Sequence, residues 1–175
     1  MGGVTAVSFF TDRVSQALGG EASQLLGADL VMCLDQCPPS GADEAHLAEA
    51  VRRTTAWARR CKAAHVQCGG LGVDGPQMLL AISQGGVSSS LRRRSVEELL
   101  EIGFAGYAIG GLSVGEDRGA MLEATEVATS MLPDDKIRYF MGIGDPLGLL
   151  AVVSRGVDIF DCVLPTRTAR MGTAF

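Results

Sequence analysis

The sequence predicts an α/β fold on parallel strands, and three observations carry that expectation. Five short apolar runs appear, the first four each followed by a longer segment of helical periodicity. The runs lack polar alternation, which suits parallel strands covered on both faces rather than sandwich strands. Glycine is abundant, 23 of 175 residues, and many glycines fall just after an apolar run, where loops must approach something closely.

Taken in order, Ala28–Leu34 is a strand that ends at Asp35, and Glu44–His65 has helical spacing through Leu47, Val51, Trp57 and Ala58. Met78–Ser83 is the next strand and runs into Gln84-Gly85-Gly86. A Ser-rich start opens a helix over Ser89–Ile102, and Ser95 with Glu98 three places on adds a capping-type signal. Gly106–Ile109 leads to Gly110-Gly111, and Asp117–Leu132 reads as a helix. Ile137–Met141 ends in Gly142-Ile143-Gly144, with Pro146 suited to the first turn of a helix over Leu147–Arg155. Val157–Phe160 is the last strand and ends at Asp161.

Two parallel architectures fit this cycle, an open doubly wound sheet and a (β/α)8 barrel, and in both the chemistry gathers at the carboxyl ends of strands. Those ends carry Asp35, Gln84, Gly110/Gly111, Met141/Gly142 and Asp161. Polar or glycine residues at successive ends favour a barrel mouth. Five strands cannot close a barrel of eight, so the expectation is a piece of something longer, the more so as the chain stops at Thr173-Ala174-Phe175 straight after its most polar loop.

Composition removes several classes. With 47% hydrophobic and 20% charged residues the chain is neither disordered nor fibrous. Fifteen Lys+Arg against 20 Asp+Glu leave a charge of −5, which argues against indiscriminate coating of nucleic acid but allows a local basic patch. No apolar run reaches the length of a membrane span, and Met1–Val4 lacks the layout of a signal peptide. Five cysteines in such a chain are expected to be reduced thiols of a cytoplasmic protein.

Asp161 and Asp35 are the strand-end carboxylates. Such a group can act as nucleophile, general base or metal ligand, or can merely cap the next helix. Paired carboxylates in one mouth are the minimum set for displacement at a sugar carbon. A carboxylate also accepts two parallel N–H bonds, which matches the guanine edge, while the Gln84 amide and the bare N–H groups of Gly110/Gly111 suit a ring carbonyl. Thr166-Arg167-Thr168-Ala169-Arg170 follows as a polar loop whose guanidinium groups could seat phosphates. Arg92-Arg93-Arg94 is expected to be a solvated helix face. Cys61, His65 and Cys68 share a helical face but lack a fourth zinc ligand nearby. Cys37 has no histidine in the strand-end loops to activate it, and His46 is expected to be exposed.

These residues resemble the tRNA-guanine transglycosylase (queuine tRNA-ribosyltransferase) family, in its bacterial form, over about residues 25–175. The matching stretches are Leu25–Asp29 through Leu34-Asp35-Gln36-Cys37, Ser83-Gln84-Gly85-Gly86-Val87, Gly106–Glu116, Leu132–Lys136 through Met141–Gly144, and Arg155-Gly156-Val157-Asp158-Ile159-Phe160-Asp161-Cys162-Val163-Leu164-Pro165-Thr166-Arg167. The resemblance implies an incomplete (β/α)8 TIM barrel, about strands four to eight, as one domain over residues 1–175. It implies exchange of guanine at the anticodon wobble position of tRNA for a 7-deazaguanine, through a covalent ribosyl-aspartate with overall retention, as in retaining glycosidases.

Residue by residue, Asp161 matches the family nucleophile and Asp35 the reader of the guanine edge. Gln84 and the Gly111 backbone match contacts to the base carbonyl, and Met141 a side chain lying on one face of the base. Gly142, Ile143, Gly144, Asp145, Pro146, Leu147 and Gly148, with Thr166, Arg167, Thr168, Ala169 and Arg170, match segments that hold the tRNA. Cys37 and Val114 match the form that takes 7-aminomethyl-7-deazaguanine. Gln36 stands where an acidic residue is common. The family's proton-accepting Asp and the aromatic on the base's other face belong to earlier strands, Val4–Gln24 matches poorly, and the Cys/His cluster for one structural Zn2+ is expected beyond Phe175. No cofactor is therefore expected within this chain, and a homodimer is expected of the full-length enzyme. Two rival readings are a non-catalytic tRNA-binding subunit or inactive fragment of the same family, and an unrelated barrel enzyme that cradles a phosphate on its glycine loops.

Overall fold

The computed structural model describes residues 30–72 and 75–173. The expectations for Val4–Gln24, for Leu25–Asp29 and for the last two residues lie outside them. The elements in chain order are β1 (Leu30–Met32), α1 (Glu44–Gln67), β2 (Leu71–Gly72), β3 (Gly75–Pro76), β4 (Met78–Ser83), α2 (Ser89–Ile102), β5 (Gly106–Ile109), α3 (Arg118–Thr129), β6 (Ile137–Met141), α4 (Pro146–Val153), β7 (Ile159–Asp161) and α5 (Leu164–Arg170). Five strands form one sheet in the order β1-β4-β5-β6-β7, every neighbouring pair parallel. The sheet curls into a half-barrel with helices between successive strands, which is the partial TIM barrel expected.

Strand alternation divides the side chains into two apolar layers. Leu80, Ile82, Ala108 and Tyr139 form the inner layer with Met32, joined at its edge by Leu30, Ile137, Met141 and Ile159. Leu79, Ala81, Tyr107, Ile109 and Phe140 face the other way and pack against Ala58, Val96, Leu99, Ala124, Ala128 and Val152 from the helices. Each helix turns a stripe inward at helical spacing: Val51, Thr54, Thr55 and Ala58 on α1, and Met121, Ala124, Thr125 and Ala128 on α3. Aspartates cap three of them. Asp43 accepts from His46 N–H at 2.7 Å, Asp117 from Gly119 N–H at 2.8 Å, and Asp145 from Gly148 N–H at 2.8 Å.

Several expectations need correction. The hairpin β2–β3 is antiparallel and only two residues a side, too short for any periodicity to reveal. The last strand is Ile159–Asp161 rather than Val157–Phe160: Val157 N–H closes onto Val152 O at the end of α4, and the Asp158 carboxylate accepts from Arg138 N–H at 2.9 Å. Thr166–Arg170 is not a loop but most of α5. Ser95 starts nothing; it lies inside α2, where its hydroxyl accepts from Gln84 N–H at 2.9 Å. Arg92 is not solvated but fully buried, while Arg93 and Arg94 are exposed as expected.

The packing of α2 on the sheet makes Leu99 a sensitive position, since its side chain is wholly buried in the outer layer. Leu99→Ala is expected to lower unfolding free energy by about 2–5 kcal/mol in urea titrations. Leu147→Ala, at a residue 74% exposed, should stay within about 0.5 kcal/mol in the same measurement.

Candidate active site

All five parallel strands open their carboxyl ends on the same side, and the strand-end residues gather there. Gln84 follows β4 directly and is fully buried. Its Nε2 donates to Asp35 Oδ2 at 2.5 Å, joining the ends of β1 and β4. Asp35 is itself buried, 9% exposed. Desolvation pushes its carboxyl above the ordinary value, partly offset by the hydrogen bond from Gln84. Gln84 Oε1 is buried without a hydrogen-bond partner.

Gly110 and Gly111, after β5, lie against that amide. Gly111 has φ +69, and any side chain there would run into Gln84 Oε1. The Cys37 thiol faces the Gly111 N–H. Partial desolvation and then the Asp35 charge hold that thiol above its usual value, so it is protonated and a poor nucleophile. An open cleft lies beside Gly111, walled also by Pro38, Leu47, Gly86, Val114 and Glu116.

Asp161 closes β7 and pairs in register with Met141. Counting along β7, Ile159 faces the inner layer, so Asp161 faces inward too. Its Oδ1 accepts from the Tyr139 hydroxyl at 2.9 Å and from Gly142 N–H at 3.4 Å. Burial, then the bond to Asp161, push the Tyr139 phenol well above its ordinary value, so it stays a donor. Asp161 is half-exposed, and it does not cap α5, whose N-cap is Val163 and whose Leu164 N–H donates to Cys162 Sγ at 3.2 Å.

The loop after β6 is tied at both ends. Ser113 Oγ donates to Gly142 O at 3.1 Å, linking it to the loop after β5. There Glu116 accepts from Ser113 N–H and from Val114 N–H, which holds Ser113 at φ +60. Ile143 is buried, Gly144 lies against Cys162, and Asp145 bonds Arg118 at 2.8 Å while capping α4 through Gly148 N–H, with Pro146 in the first turn. Leu147 projects outward. Arg167 and Arg170 are exposed on α5 three residues apart, hence on one face. Neither is a partner of Asp161. Thr166 and Ala169 are exposed beside them, and Thr168 bonds back to Leu164 O.

Zinc finds no home among the described residues. No three His, Cys, Asp or Glu side chains converge; His65 Nε2 bonds Gln77 O at 3.0 Å, and the Cys33 thiol hydrogen-bonds Cys61.

Three residues of this region carry no role in the sequence reading: Tyr139, Glu116 and Arg92. A signal for Tyr139 exists, because it shares strand parity with Met141 at the site. Arg92 stands on the stripe Arg92, Ser95, Val96 and Leu99 that α2 turns inward, a spacing that marks burial. Glu116 has no comparable signal, since its bonds depend on the turn of the loop.

With this geometry in hand, the chain can be set against known proteins. The family model "Queuine tRNA-ribosyltransferase" matches residues 15–175. A protein of that name from Halothermothrix orenii is 52% identical over 150 residues, which is 86% of this chain and 38% of that protein. One from Solidesulfovibrio magneticus is 50% identical over 150 residues, 86% of this chain and 39% of its own length. One from Shouchella clausii is 46% identical over 153 residues, 87% and 39% respectively. The chain thus spans well under half the length of these relatives. It belongs to the queuine tRNA-ribosyltransferase family.

Proposed function

We propose that the chain supplies the nucleophile and base-reading parts of a tRNA-guanine transglycosylase. The observation that carries this reading is the Asp35–Gln84 pair, buried and joined at 2.5 Å beside the Gly111 N–H. An ionised Asp35 accepts from the ring N–H and exocyclic amine of guanine, while the remaining Gln84 N–H and the Gly111 N–H meet the ring carbonyl. That arrangement accepts where guanine donates and donates where it accepts. Met141 lies on a face of the base.

Asp161 then acts on the sugar. Tyr139 and Gly142 both hold Oδ1, which leaves Oδ2 for the reaction. An electron pair from Oδ2 forms the bond to the ribose anomeric carbon, the glycosidic bond breaks, and guanine departs with its electrons and takes up a proton. A 7-deazaguanine, read by the same Asp35 set, gives up its ring proton and displaces the aspartate, so two inversions restore the configuration. Val114 walls the cleft beside Gly111, and the Cys37 thiol faces the Gly111 N–H, in keeping with 7-aminomethyl-7-deazaguanine as the incoming base. Arg167 and Arg170, with residues 142–148, engage the tRNA around the wobble nucleotide through its phosphates. The protein works as a homodimer at full length, in the cytoplasm, with its structural Zn2+ held by residues other than those described. Among the described residues no helix is long and apolar enough to cross a membrane.

A half-exposed carboxylate anchored by hydrogen bonds argues for an enzyme over a tRNA-binding subunit, which has no use for the Tyr139–Asp161 bond. Asp161→Asn, in the protein at its native length, is expected to abolish the denaturation-resistant tRNA adduct; an adduct that persists in that variant rejects the assignment.

Asp35 adds a pH test with two opposite signs. Its folded value lies above the unfolded one near 3.8, so the folded state holds its proton longer. Stability is therefore lost as pH rises from about 4 through the folded value. Guanine binding has the reverse slope, because the base needs the ionised form. Asp35→Asn should remove that stability loss in urea midpoints measured across the window. The same variant should weaken guanine binding by roughly 10- to 100-fold, since an amide presents donors to donors.

A further inference from the structure

Arg92 is the largest wholly buried side chain of the described residues, and no carboxylate is among its hydrogen-bond partners. Nη1 donates to Gly110 O at 2.8 Å and Ser83 O at 3.1 Å, with Ser83 Oγ at 3.5 Å. Nη2 donates to Gly86 O at 2.6 Å, and Nε has no partner. A buried guanidinium held only by neutral oxygens costs more than an apolar side chain of similar size would. Packing alone does not account for it. Desolvation pulls its pKa down to about 10, so it still carries its charge at neutral pH.

The acceptors show where that charge is directed. Gly110 O and Gly111 N belong to one planar peptide unit, so a grip on the oxygen fixes the direction of the N–H. A charged donor on the oxygen also polarises the unit and makes its N–H a stronger donor. The other two carbonyls, of Ser83 and Gly86, bracket Gln84, and Gly85 between them lies so close to α2 that a Cβ there would stand 2.7 Å from Arg92 N. The helix, its arginine and both donors to the base carbonyl are thus one rigid assembly. What the Gly111 N–H faces in the free protein is the Cys37 thiol, a weak acceptor that a ring carbonyl would replace.

We infer that Arg92 is a positioning residue for the base, acting through the Gly110–Gly111 peptide to aim and strengthen the N–H that meets the ring carbonyl. This rests on the reading of Asp35, Gln84 and Gly111 as the base site. The departing guanine gathers negative charge on that carbonyl, so the same polarised N–H favours departure as well as binding.

The test compares guanine with 6-thioguanine, whose thione form keeps the ring N–H and the amine read by Asp35 but puts sulfur, a weak acceptor, in place of the carbonyl oxygen. Binding is measured calorimetrically on the protein at its native length. The unsubstituted protein should prefer guanine. In Arg92→Lys, guanine affinity should fall by roughly 10- to 100-fold, while that for 6-thioguanine changes by less than about threefold. Equal weakening of both bases would make Arg92 a mere prop of the loop and overturn the inference while leaving the base site standing. An unsubstituted protein that binds both bases equally would do the same. If it binds neither, the base-site reading falls and this inference with it. Should Arg92→Lys not fold, the unsubstituted protein decides: its Arg92 guanidinium proton resonances should move on adding guanine and move less with 6-thioguanine. Resonances that ignore both bases, or that move equally with each, overturn the inference.

Discussion

The constraint on which the rest depends is the two-residue period of the parallel strands. Once register joins Ile82 to Ala108, Ala108 to Tyr139, and Tyr139 to Ile159, the inner face is settled for the whole sheet. Gln84, Gly110, Met141 and Asp161 then lie an even count beyond inner-layer residues. A one-residue slip in β7 would turn Asp161 outward, away from Tyr139, and put Phe160 into the mouth. The outer layer is what prevents it, because Phe140 is fully buried among helix side chains and Phe160 packs against the same cluster. Apolar burial at Phe140 and Phe160 thus fixes where the carboxylate sits, although neither ring touches it through any bond.

The two carboxylates occupy environments that suit different tasks. Asp35 is buried beside an amide, and desolvation pushes toward its neutral form. Such a group gains most when a ligand with two donors replaces the water it has lost. Asp161 is half-exposed and anchored by one oxygen through Tyr139 and Gly142. An anchored oxygen orients the group without occupying its partner. The proposed function accordingly gives recognition to the buried carboxylate and reaction to the accessible one.

Much of this was legible in the sequence, and the reasons differ by element. The strands Met78–Ser83, Gly106–Ile109 and Ile137–Met141 agree with the expectation at both ends, because each is an apolar run stopped by Gly or a polar residue. The final strand shifts by two positions at its start. Asp158 looks like a strand residue by its apolar neighbours, yet its carboxylate is engaged by Arg138 N–H, a contact between segments twenty residues apart. The arginine run misled for a related reason. Charge count says solvent, whereas helical position says core, and at Arg92 position wins because backbone carbonyls at two strand ends need donors. Asp35 was found by its type and not by its parity, since it lies three residues past the last residue of β1, where strand counting no longer holds.

Two buried polar atoms at the strand-end site, Gln84 Oε1 and Arg92 Nε, have no partner among the described residues. Thr125 and Thr129, in the helix layer, are satisfied by carbonyls one turn back. An unpaired buried group costs about 1–3 kcal/mol, and a chain free to choose would remove it. Replacing Gln84 by a leucine would do so, and would also strip Asp35 of its one side-chain partner among the described residues. On the proposed function the amide persists at a cost to stability because it holds the neighbouring carboxylate ready for a donor edge.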